Sequence, residues 1–323
     1  MNNNNDAARA SGGFASERYE IRQMMLRQSF KRKLLDKSVT ILTVASVLAA
    51  LVPLGSILVE VVKNGLMALS IEFLTETPAQ MGSGEGGIGP SIQGTLVVVG
   101  VSSLISAPVG VSGGIYLAEF SSSRGRIHNK FANTVRFFSD VMTGLPSIVI
   151  GIVGYVVIVL TFGFSVWAGA FALSLIMIPI VVRVTEETVK LVPDSIREAG
   201  HALGIPKWKI ILLIVLKTSM GGVLTGIVLG ISRITGETAP LIMTILGTSL
   251  FITDFAGPVD ALPLRIWRLA SQPYAEATSF GWGAALVLIM IVLALSVGLR
   301  VLAYRRTTYA SSSSATKTSG DSR

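Results

Sequence analysis

Two ionisable residues stand four positions apart inside a long apolar stretch, Arg233 and Glu237, in Ser232-Arg233-Ile234-Thr235-Gly236-Glu237-Thr238-Ala239-Pro240. On insertion scales an ionisable side chain at membrane depth costs about 2.5–3.5 kcal/mol, so it is a candidate for function by default. A spacing of four brings both groups to one side of a helix, where pairing lowers the cost of each. Two roles are open to such a pair. It can fix helix rotation or bind a neighbouring subunit; or Arg233 can meet an anion in transit while Glu237 holds its fork and limits its affinity. The guanidinium plane matches phosphate oxygens two at a time, and a conduit must also release what it binds. Thr238, next in the chain, joins the pair as a pathway candidate.

Ser147 is the fourth pathway candidate, in the step Gly144-Leu145-Pro146-Ser147. Pro146 frees a backbone carbonyl that a serine hydroxyl can satisfy. The result is a plain kink, or a bend whose unwound backbone lines a conduit. Elsewhere the glycines repeat every four residues, at Gly110–Gly114 and at Gly222–Gly226–Gly230. In lipid such stripes let helices approach closely, so they read as packing surfaces first and substrate-lining ones second. The longest polar stretch between apolar runs, residues 183–209, holds Glu198-Ala199-Gly200 and Gly204. A short helix ending in a glycine turn there can fit a groove on another protein.

These groups need helices to hold them, and composition says where those helices run. The chain has 323 residues, 50% hydrophobic and 14% charged, against about 25% charged in soluble domains. Ser38–Val59, Gly86–Ala118, Val141–Val182, Ile210–Ile252 and Ala277–Leu299 are apolar runs, the fourth broken only by Lys217, Arg233 and Glu237. About 20 apolar residues cross a bilayer. Val141–Val182 therefore holds two spans, turning near Thr161–Gly163–Ser165. A seventh span after Pro240 would send Arg300, Arg305 and Arg306 to the wrong side, so the fifth span ends near Pro240 and Leu241–Leu250 is a short bent segment. The expected fold is an all-α membrane protein of six transmembrane helices. The first apolar run is longer than a signal-peptide core and reads as a membrane helix.

Of 27 Lys and Arg, 22 fall in residues 1–37, 121–137, 183–209 and 300–323. These are alternate connections, so both termini are expected in the cytoplasm. The net charge of +8 thereby orients the chain among lipid headgroups, and nucleic acid is not an expected partner. The organisation read from this is a cytoplasmic segment 1–37 with a disordered lead over 1–16, a membrane domain 38–306 and a disordered tail 307–323. With no cysteine and only His128 and His201, no metal centre, disulfide or catalytic residue is expected. No Gly-Lys dipeptide occurs, so there is no Walker A loop and no cofactor of the chain's own.

The order Glu198-Ala199-Gly200, Gly204, Ile214, Leu216 resembles the signature cytoplasmic loop of ABC-importer permeases, with Gly200 for an alanine and Lys217 for a proline. Arg233 to Leu241 looks like the phosphate-specific permease of the A type, as do Gly87–Leu96, Gly114–Glu119 and Gly144–Gly151. The resemblance covers most of residues 35–305. It implies a type I importer permease fold in the inner membrane. It also implies a heterodimer with a second permease, two copies of an ATP-binding subunit that uses ATP and magnesium, and an external phosphate-binding protein. Residues 198–204 would then dock on the ATPase, and Arg233 and Glu237 would serve transport. Other oxyanions (molybdate, sulfate), a lone secondary transporter and a membrane enzyme are the competing classes.

Overall fold

A computed structural model describes residues 3–79, 86–121 and 125–318. Residues 80–85 and 122–124 lie outside it, as do both chain ends. Two compact units are present, Met1–Glu60 and Val61–Arg323.

The first unit is helical: α1 spans Asn3–Ala68. Its residues 35–60 are exposed all round, Ile41, Leu48 and Ile57 among them. A helix apolar on every side with no protein cover is built to face lipid. The backbone is helical over 3–16, and at the other end through Thr318. Once a helix is nucleated, each further residue adds one hydrogen bond to the existing ladder.

The second unit holds α2 (Ile71–Thr75), α3 (Gly89–Glu119), α4 (Gly125–Gly144), α5 (Ser147–Gly154), α6 (Leu160–Phe162), α7 (Val166–Lys190), α8 (Asp194–Ala202), α9 (Lys207–Lys209), α10 (Leu216–Thr235), α11 (Ala239–Thr244), α12 (Leu262–Ala270) and α13 (Ala275–Thr318). Tyr155–Val159 and Ile210–Val215 are widened π turns continuous with their neighbours. At its centre lies α7, with α3 on one side and α10 on the other. Contact is close because glycines remove the side chains between. A Cβ on Gly110 would stand 2.6 Å from Val181, and one on Gly114 2.5 Å from Thr185. From α10, Gly222 meets Thr188, Gly226 meets Val184 and Gly230 meets Met177. Val98, Leu173, Met177, Val181, Ile234 and Leu264 fill the core between these helices.

Among the described residues five helices are long and apolar enough to cross a membrane, and a sixth crossing exists if the bent pair Asn129–Gly144 and Ser147–Phe162 counts as one span. With the bent pair counted as one span, the five apolar runs, the third of them holding two spans, correspond to six crossings, and the third crossing differs from a straight helix. Its two halves meet at 107°. Pro146 sits immediately before α5 with ψ 134, an extended value that ends one helix and starts another. The turn after Phe162 is Gly163 at φ 84, followed by Ser165, whose hydroxyl accepts from Ala168 N–H at 3.2 Å. The fifth span also stops earlier than the sequence suggests, at Thr235 rather than near Pro240. Gly236 breaks the ladder, and Pro240 is found near the start of α11, where its missing N–H costs nothing.

Candidate functional site

Arg233 lies in the last turn of α10 and Glu237 in the break just beyond it. Their charges touch, Arg233 Nη1 to Glu237 Oε1, at 2.5 Å. The two groups are unequal. Glu237's side chain is 6% exposed and Arg233's 59%. The contact lacks the angle of a hydrogen bond, so Glu237 Oε1 has no donor and the attraction is Coulombic. Arg233 does not lie on the packed Gly222–Gly226–Gly230 face. That face continues in Ile234, fully buried, while Arg233 extends the exposed row Gly221, Thr225, Leu229. With 3.6 residues per turn, a step of three from Gly230 rotates away from the packed side.

Thr238 precedes α11 as its N-cap residue but makes no capping hydrogen bond with its side chain. Ser147 opens α5, half-buried. These two short helices pack together, because Gly151, one turn after Ser147, leaves room for Pro240 at 2.7 Å from its missing Cβ. The break after α10 and the break before α5 are thus joined through α5 and α11. Next to the bend is a cavity of about 530 Å³ lined by Ser139, Asp140, Thr143, Gly144, Pro179 and Arg183, among others. Arg183 there is bonded to Glu187 at 2.7 Å and lies 3.9 Å from Asp140. Sequence inspection passed over Arg183 because it stands at the edge of an apolar run, where charge is ordinary.

The polar loop 183–209 begins with the last two turns of α7 and folds through α8 and α9. Glu198, Ala199 and Gly204 are exposed, Gly204 at φ 74, while Gly200 is buried. A Cβ on Gly200 would stand 3.0 Å from the Ile210 side chain, a tight contact that Ile210 would have to yield to. The loop also exposes Leu191, Leu203 and Trp208, at 81%, 79% and 59%. Large apolar groups exposed on a polar loop are available to a protein or membrane contact. Lys217, where the signature pattern has proline, lets the π segment run on into α10 unbroken.

At the opposite ends of the helices is a second polar cluster that periodicity could not reveal. Asp260 is fully buried, accepts from Ser91 Oγ at 2.6 Å and faces Arg265 Nε at 3.6 Å. Arg265 Nη2 is buried without an acceptor. Burial pushes the Asp260 carboxyl above its ordinary range, against the pull of Ser91 and Arg265, and pushes the Arg265 guanidinium down. Among the described residues no three His, Cys, Asp or Glu side chains gather as a metal site.

The family model for the binding-protein-dependent transport system inner membrane component matches residues 110–306. The phosphate transport system permease protein PstA of Yersinia pestis is 38% identical over 277 residues, which is 85% of this chain and 92% of the relative. PstA 1 of Mycobacterium tuberculosis strain H37Rv is 35% identical over 290 residues, 86% and 91% of the two chains. Among solved structures, a bacterial alginate ABC transporter in complex with its pentasaccharide-bound periplasmic protein aligns with a TM-score of 0.60 at 14% identity, covering 87% of this chain and 97% of that one. An inward-facing MetNI methionine ABC transporter aligns at 0.56 and 18% identity, covering 67% and 94%.

Proposed function

The chain belongs to the inner-membrane components of binding-protein-dependent transport systems, and from that premise we infer that it is the permease subunit of an ABC importer of inorganic phosphate. It is a multi-pass membrane protein with the type I importer permease fold. The observation that carries the substrate reading is Arg233, a cation on an uncovered face of a span and already half-neutralised by Glu237 at 2.5 Å. A phosphate anion leaving water needs compensating positive charge. A full, unopposed cation would hold it; one with a carboxylate beside it can attract and release.

The other parts of the function follow from the same reading. The row Gly221, Thr225, Leu229, Arg233 would face a second, different permease across the conduit, with Thr238 and Ser147 near the breaks that border it. The gathered glycines Gly222, Gly226 and Gly230 would keep α10 seated on α7. Residues 198–204, with Leu191, Leu203 and Trp208, would dock on one of two ATP-binding subunits, and ATP hydrolysis with magnesium there supplies the driving energy. Both termini would then lie in the cytoplasm, and the Asp260 cluster would face an external phosphate-binding protein.

Uptake of labelled phosphate into proteoliposomes carrying the full complex tests this. Uptake should require ATP inside the ATPase-facing compartment and compete with unlabelled phosphate more strongly than with sulfate or molybdate. Uptake that prefers sulfate or molybdate, or proceeds without the ATP-binding subunit, refutes it.

A further inference from the structure

The end of α3 at Glu119 collects cations from three other elements. A helix ends with carbonyls that have no intrahelical partner and with the negative pole of its dipole. In α3 the Leu117 carbonyl accepts from Arg136 Nη2 of α4 at 3.2 Å, and the Glu119 carbonyl from Lys207 Nζ of α9 at 2.8 Å. Lys207 also lies 4.8 Å over the Phe120 ring. The Glu119 carboxylate, 6% exposed, takes Arg197 of α8 through Nε at 2.9 Å and Nη2 at 2.7 Å. The same guanidinium donates to the Val189 carbonyl, the Val192 carbonyl and Asp194. So many fixed acceptors leave Arg197 no freedom to swing: α8 cannot shift without pulling on Glu119.

The far end of α3 is fastened as firmly. Thr95 Oγ1 accepts from Leu262 N–H at 2.8 Å, and Ser91 donates to Asp260 at 2.6 Å. Gly94 lies so close to the Asp260 carbonyl that a Cβ would overlap it. Between the two ends α3 is one helix of 31 residues that continues through Pro108, roughly 46 Å long.

We propose that the Arg197–Glu119 clamp delivers movement of the 183–209 loop to α3, and that α3 carries it as a rod to the outer connection at residues 260–262. Arg197 and Glu119 are positioning residues in this scheme; neither touches phosphate nor ATP. The inference rests on the reading of residues 198–204, within the 183–209 loop, as the ATPase-docking segment. A loop that served docking alone would need anchorage only to α7 and α10, the helices it joins. Its Arg197 and Lys207 instead bond to the end of α3, Arg197 across 78 residues of sequence.

The test uses the complete complex in lipid nanodiscs, with Ala256→Cys carrying a fluorophore on the exposed outer connection of the otherwise cysteine-free chain. In the unmodified background ATP should change the fluorophore signal, and phosphate-loaded binding protein should stimulate hydrolysis. Arg197→Gln or Glu119→Gln should keep the ATPase subunit bound and its unstimulated rate intact, yet reduce both responses at least tenfold. Exchanging the charges, Arg197→Glu with Glu119→Arg, should recover at least a third of them. Full responses in the single variants overturn the proposal; so does loss of the ATPase subunit that the exchange does not restore. If phosphate-loaded protein fails to stimulate even the unmodified complex, the phosphate reading falls, while the ATP-driven fluorophore change still decides the clamp.

Discussion

Replacing Arg233 by glutamine removes a charge from two partners at once, and the structure says how to separate the consequences. On the proposed transport role, the first partner is the anion in transit. Two unit charges 4 Å apart attract by about 4 kcal/mol at an effective dielectric of 20 and by about 1 kcal/mol in bulk water. Arg233 is 59% exposed in the single chain, so the dielectric it feels lies between these limits. At roughly 1.4 kcal/mol per factor of ten, uptake by the Arg233→Gln variant should fall by about 5-fold to about 1000-fold. The second partner is Glu237, 6% exposed and without a hydrogen-bond donor. Breaking a buried pair by removing one side costs about 3–5 kcal/mol, enough to disturb assembly instead of transport.

The double variant Arg233→Gln/Glu237→Gln resolves this. It leaves no buried charge unpaired, so a purely structural defect should largely disappear, whereas an anion site remains without its cation. We expect the double variant to assemble like the unmodified chain and still to transport at a rate reduced at least 5-fold. Arg233→Lys should recover part of the rate, having the charge without the planar fork. The assay is initial-rate phosphate uptake normalised to co-purified complex. Uptake by the double variant at the unmodified rate refutes the reasoning and makes the ion pair structural.

Four further outcomes can be checked on the same material. Reversing the charge of Glu198, or Gly204→Pro at its φ of 74, should leave the chain in the membrane and abolish co-purification of the ATPase subunit. Gly222→Ala should lower thermal stability by about 1–3 kcal/mol, since its Cβ would stand 2.1 Å from Thr188; Gly221→Ala, with nothing within 4 Å, should be neutral in the isolated chain. Single cysteines at the exposed positions Thr278 and Ser195 should label from outside and only after permeabilisation, respectively, and the reverse result would invert the topology. Burial raises the Asp260 carboxyl, so the folded chain holds that proton more tightly than the unfolded one. Its contribution is therefore full below the ordinary aspartate range and lost as pH rises through the raised value, and Asp260→Asn/Arg265→Leu should flatten this part of the stability–pH curve.

Much of the fold is legible in the chain because lipid imposes a local rule: the backbone of every crossing must satisfy its own hydrogen bonds, which favours long apolar helices. Length and sparsely charged runs suffice to place the five long apolar helices and the bent pair. The 107° bend at Leu145–Pro146 is less legible, since proline signals a break but not its angle, which depends on how α4 lies on α7. Arg136 settles that, reaching across 50 positions to Glu186 at 2.7 Å. Likewise a repeat of glycines announces a close approach without naming the neighbour. Arg197–Glu119 and Asp260–Ser91 are separated by 78 and 169 residues, and no spacing rule reaches that far. Each partner alone looks like an ordinary charge at the end of a helix.

Exposure, which no sequence reading supplies, divides the ion-paired arginines into two kinds. In Arg136, Arg197 and Arg265 the side chains are 29%, 18% and 8% exposed, and their guanidiniums face acids that are nearly or wholly buried. Such pairs hold elements in register, and little of their charge is left for anything else. Arg183 and Arg233 are each 59% exposed, with carboxylates 2.7 and 2.5 Å away. A guanidinium offers five donors, and a single carboxylate contact leaves most of them turned outward. The partial neutralisation matters as much as the exposure. A bare cation on a membrane-spanning face would bind phosphate too tightly for turnover, and a fully buried pair would not bind it at all. Arg233 meets both conditions where α10 breaks and backbone groups are no longer tied up in the helix, and on that coincidence the transport reading of this residue stands.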